Sequence, residues 1–68
     1  MTAEQMARLA VEYWRASGAR TITRLEGLIV SLSESYHGPA AQWGPAVRDL
    51  VDAAMQTARA RVQWQAQW

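Results

Sequence analysis

The stretch TITRLEGLIVSLSESYHGP, residues 21–39, admits two readings, and the choice between them sets the fold class. Ile22, Leu25, Ile29, Leu32 and Tyr36 recur at spacings of three, four, three and four, which projects them along one stripe of a helix. Against this, Leu28, Val30 and Leu32 alternate with Ile29, Ser31 and Ser33, and β-branched residues are frequent, as in a strand. The helical pattern runs from Ile22 to Tyr36 and the alternating one only from Leu28 to Ser33, so a helix over 22–37 is expected. Thr23 followed by Glu26 has the form of a capping box at its start. Gly38 and Pro39 stop it, since glycine tolerates a left-handed cap and proline cannot donate a continuing bond. Gly27, Ser31 and Ser35 mark a second side of this helix. They either let another backbone come close or are simply polar, exposed positions.

Working outward, Thr2 and Gln5 form a capping box ahead of a first helix over about 3–16. Met6, Leu9, Tyr13 and Ala16 give its inner stripe, widened by Ala7, Ala10, Val11 and Trp14 to more than half the circumference. Two neighbours are needed to cover so broad a face. Ser17 and Gly18 end it. Pro45 suits the first turn of a third helix over about 45–66, with Val47, Leu50, Val51, Ala54, Ala58 and Val62 facing inward and Met55 at the margin. Asp49 and Asp52 lie early and Arg59 and Arg61 late, each sign where the helix dipole favours it. The expectation is an all-α, antiparallel three-helix bundle forming a single domain.

A chain of 68 residues buries only about 60 % of the surface its unfolded form exposes, so its core needs help. With no cysteine and one histidine, neither disulfides nor a zinc-type site supplies it, which leaves oligomerisation, probed first as a dimer, or a protein partner. Half of the residues are hydrophobic, yet no apolar run approaches the roughly 20 residues of a membrane span. The opening residues lack the basic-then-apolar order of a signal peptide, so a cytoplasmic protein is expected. A net charge of +1 gives no general attraction to nucleic acid.

Helices of about 15 residues span roughly 22 Å, whereas a third helix of up to about 23 would span roughly 34 Å. Its excess is the stretch RVQWQAQW, residues 61–68, in which Trp64 and Trp68 fall on one flank with Arg61. Each ring buries about 150–250 Å², so leaving both in water forgoes several kcal/mol. The expected partner-binding set is therefore Trp64 and Trp68 as anchors, Arg61 as a polar contact and Val62 as apolar support. The competing arrangement folds both rings back over the bundle end beside Trp14 or Trp43.

Catalytic chemistry finds no foothold. His37 has no nucleophile or carboxylate in a recognisable pattern, and Asp49 and Asp52 lack the histidine of a bundle-type carboxylate metal site. Gly38 and Gly44 are followed by prolines, which remove the donors a phosphate loop requires. A non-enzymatic interaction or accessory module without a cofactor, metal or small-molecule substrate is expected. The alternative is a nucleic-acid accessory protein of helix-turn-helix type using Arg15, Arg20 and Arg24. Against it, Glu12 and Glu26 offset that cluster, and the third helix has acids near its start. Attachment of the last helix to a membrane surface ranks behind both, because its inner stripe is rich in alanine.

Overall fold

The computed structural model describes residues 1–66 and contains three α-helices. These are α1 (Ala3–Ala16), α2 (Ile22–His37) and α3 (Pro45–Val62), with a short 3-10 turn at Ala40–Gln42 before α3. No strand occurs among the described residues, so the alternating pattern within 28–33 is overridden by the longer helical one. No helix among them is long and apolar enough to cross a membrane.

The start of α1 follows from its cap. The Gln5 backbone N–H donates to the Thr2 hydroxyl at 3.1 Å, and the Thr2 N–H donates to the Gln5 side chain at 2.9 Å. Its end is a Schellman motif: Gly18 takes φ +76°, its N–H donates to the Arg15 carbonyl, and the Ala19 N–H donates to the Trp14 carbonyl. The next helix is capped by Thr21, whose hydroxyl accepts from the Arg24 N–H at 3.2 Å. Thr23 and Glu26, expected to cap it, instead lie inside the helix, because the chain has already turned inward at Ile22, a core residue. Glu26 is thereby released to pair with α3.

Met6 meets Ser33 while Trp14 meets Thr21, so α1 and α2 run antiparallel. Glu26 near the start of α2 meets Arg59 in the last turn of α3, so these two are antiparallel as well. The core between them consists of Met6, Ala7, Ala10, Val11 and Trp14 from α1, Ile22, Leu25 and Ile29 from α2, and Val51, Ala54, Ala58 and Val62 from α3. Four of the twelve are alanines on α1 and α3, small side chains that favour close helix packing, and α1 turns its alanine side toward α3. Its expected stripe through Tyr13 and Ala16 lies outward, Tyr13 being 56 % exposed, and the widening residues Ala7, Ala10, Val11 and Trp14 form the centre. A tyrosine's hydroxyl keeps its water this way, whereas the Trp14 indole finds a protein acceptor.

Two further positions differ from expectation. Tyr36, placed on the inner stripe of α2, is 57 % exposed, and Ser33 takes the buried position one turn past Ile29. The burial of Ser33 is compensated: its hydroxyl donates to the Ile29 carbonyl at 2.7 Å and lies 3.1 Å from the Met6 sulfur. α3 ends at Val62 rather than near 66, and the N–H groups of Gln65 and Ala66 both turn back onto the Val62 carbonyl. Val62 is the last fully buried residue, and among the described residues beyond it only the half-buried Ala66 still packs against the core, so the helix loses most of the packing that sustains it. With 18 residues against 16 in α2, α3 spans only about 27 Å, and the expected overhang is correspondingly reduced. Asp49 and Asp52 fall beyond the first turn of α3, where the dipole does little for them.

Gly38 has φ +81° and ψ −171°, a region only glycine occupies readily. Gly38→Ala is expected to lower the unfolding free energy by about 1–3 kcal/mol in urea titration followed by helical circular dichroism. Leu25→Ala, deleting a fully buried side chain, is expected to cost about 2–5 kcal/mol. The whole chain commands only about 3–10 kcal/mol, so this variant should be largely unfolded at room temperature.

Candidate interaction surface at the end of α3

Three of the four tryptophans lie among the described residues, and their environments differ. Trp14 is 2 % exposed, and its indole N–H donates to the Thr21 carbonyl at 2.8 Å. Trp43 is half-buried against the core, its indole N–H donating to the Gly38 carbonyl at 2.8 Å, so it closes the turn between α2 and α3. Trp64 stands in the turn after α3 and is 89 % exposed. It is thus not folded back beside Trp14 or Trp43. Trp68, expected as the second anchor, lies outside the described residues.

The remaining members of the expected set occupy different settings. Val62 is fully buried within its own chain, because the last turn of α3 still packs on α1 and α2. It offers no surface to a partner. Arg61 is partly exposed and ion-paired with Glu4 at the start of α1. Its neighbour in the same turn, Arg59, donates to Glu26 of α2 through Nε at 2.9 Å. Arg15 completes the fastening by donating to the Gln65 side chain at 3.2 Å. Each of these contacts is solvent-accessible and worth at most about 1 kcal/mol, but together they hold the segment bearing Trp64 against both neighbouring helices. None was legible in the sequence, since the partners are far apart along the chain and no local spacing links them.

A cleft of about 320 Å³, to which Trp64 itself does not contribute, opens between the start of α2 and the end of α3. Ile22, Ala60 and Ala66 supply apolar lining, with Gln56, Arg59 and Gln63 at the rim. The turn that carries the exposed Trp64 thus also supplies Gln63 and Ala66 to an apolar cleft with polar edges, a composition found in recognition surfaces.

The three arginines of the nucleic-acid alternative are exposed but do not converge. Arg15 opens onto the α1/α3 side with Arg8, Arg61 and the acidic Glu12. Arg24 lies on the outer side of α2 with Thr23, Gly27, Leu28 and Ser31, and Arg20 belongs to the connection between α1 and α2. Asp49 and Asp52 are exposed within one turn of α3, and His37 is exposed at the end of α2. No protein-family model matches the chain, and neither a curated protein nor a solved structure matches it.

Since the Trp64 ring covers none of the core, Trp64→Ala should leave the unfolding free energy within about 0.5 kcal/mol of the parent. Trp43→Ala, which removes half-buried area and a satisfied hydrogen bond, should cost about 2–3 kcal/mol in the same titration.

Proposed function

We propose that this chain is a non-enzymatic helical protein-interaction or assembly module that docks, on another copy or on a larger protein, through the end of α3. The observation that carries it is the 89 % exposure of Trp64 on a turn tied to α1 through Gln65 and Arg15, next to the end of α3 where Arg61 pairs with α1 and Arg59 with α2. An indole held in water this way gives up several kcal/mol of burial that a partner would recover, and its fixed mounting lowers the ordering cost of binding. Arg61 contributes a polar edge to this surface, and Val62 acts from the core. The setting we propose is cytoplasmic, for a small accessory protein without cofactor or small-molecule substrate.

Site-specific photo-crosslinking tests this. A photoreactive phenylalanine analogue at position 64, in cells making the chain from its own gene, should give a discrete covalent adduct whose mass distinguishes a second copy from another protein. The same analogue at the exposed Ala41 should give none. Equal labelling at the two positions would overturn docking by Trp64. Retention on a DNA column that falls steeply with salt, and is lost on replacing Arg15, Arg20 and Arg24 by glutamine, would replace it with nucleic-acid binding.

A further inference from the structure

The outer side of α2 presents a second surface, separate from the Trp64 end. Opposite the buried Ile22, Leu25, Ile29 and Ser33, the positions Arg24, Leu28, Ser31 and Ser35 recur at spacings of four, three and four, with Gly27 and Glu34 on their flank. Two shallow clefts run along this side, one of about 260 Å³ bounded by Tyr13, Leu28 and Leu32, the other of about 460 Å³ reaching Arg24. Leu28 and Ser31 line both, so they form one continuous strip. A helix side meant only for water usually carries charges throughout. This one is neutral over its length and carries a cation near its start and an anion near its end.

The placement of those two charges identifies the occupant. Neither Arg24 nor Glu34 makes an ion pair among the described residues, and Glu34 has one oxygen accepting from the Ala40 N–H at 3.2 Å. A neutral strip with opposite charges at its ends is complementary to itself when reversed, and only then. Parallel stacking would set like charge against like.

We infer that two copies of this chain associate about a two-fold axis through the outer sides of their α2 helices, running antiparallel. In that register Gly27 of each copy faces Ser31 of the other, and Arg24 of each reaches Glu34 of the other, the two facing pairs lying about 15 Å apart, about 7.5 Å on either side of the axis. Leu28, Leu32 and Tyr13 supply the apolar area. The absence of large side chains at Gly27, Ser31 and Ser35 lets the two axes approach closely.

Sedimentation equilibrium tests the pairing, with circular dichroism confirming unchanged helicity for every variant. The parent chain should approach twice 7.6 kDa as concentration rises. Arg24→Glu and Glu34→Arg, each alone, place like charges in contact twice per dimer and should weaken association at least about tenfold. Mixing those two single variants should restore a heterodimer, because every facing pair is then opposite in sign, and the double variant should restore the homodimer. Ser31→Arg, which blocks close approach without touching the Glu34 contact to Ala40, should abolish the dimer. A parent chain that stays monomeric into the millimolar range would overturn the inference. So would a dimer indifferent to Arg24→Glu, Glu34→Arg and Ser31→Arg. A dimer lost on Trp64→Ala but untouched by those three would assign self-association to the end of α3, leaving the proposed docking role intact and removing this one.

Discussion

The corner between α1 and α2 depends on one hydrogen bond, from the Trp14 indole to the Thr21 carbonyl. An indole N–H buried without an acceptor costs about 1–3 kcal/mol, a large share of what so small a chain commands, so the connection must bring a carbonyl to it. Gly18 turns the chain back through its left-handed conformation, and the segment through Thr21 then presents the acceptor. Thr21 is also the cap of α2, its hydroxyl accepting from Arg24 and its carbonyl from Leu25. One residue therefore satisfies the largest ring in the core and starts the next helix. The rotation of α1 that buries Trp14 and exposes Tyr13 is what brings the indole to this acceptor.

Much of this architecture was legible from local chemistry. The reciprocal Thr2 and Gln5 cap, Gly18 and Gly38 as stops, and Pro45 as a start each act within a few residues, and the helix limits at 3–16 and 22–37 agree with them. What the pattern missed depends on neighbours. Which of two overlapping stripes on α1 faces inward is decided by alanines that allow α3 to come near, and spacing alone cannot weigh this. Ser33 reads as polar and therefore exposed until the Ile29 carbonyl and Met6 sulfur are placed around it. Thr21 and Thr23 are both credible caps, and Ile22 settles the choice by its burial.

The interaction surface was legible to a smaller degree. Trp64 could be singled out because it lies in the stretch expected to outreach α1 and α2, and the ring is exposed although that overhang is shorter than expected. Val62 continues the inner stripe, so its burial follows from periodicity. The expected long overhang rested on extending α3 through residues with helical propensity, but past Val62 the packing thins to the half-buried Ala66 and the chain turns at Gln63. The ion pairs that fix the site join residues from opposite parts of the sequence and belong to tertiary structure alone.

Those ion pairs have a consequence at the other end of the polypeptide. Arg59 and Arg61, separated by a single residue, reach in opposite directions, one to Glu26 and the other to Glu4. Glu4 sits in the first turn of α1, so the mounting of Trp64 is anchored partly beside the amino terminus. A purification tag or fusion joined ahead of Met1 therefore acts close to one of the two moorings. Joining it there reaches the aromatic end of the molecule through the Glu4 contact, whereas the exposed 3-10 turn around Ala41 carries neither mooring and is the place for a label.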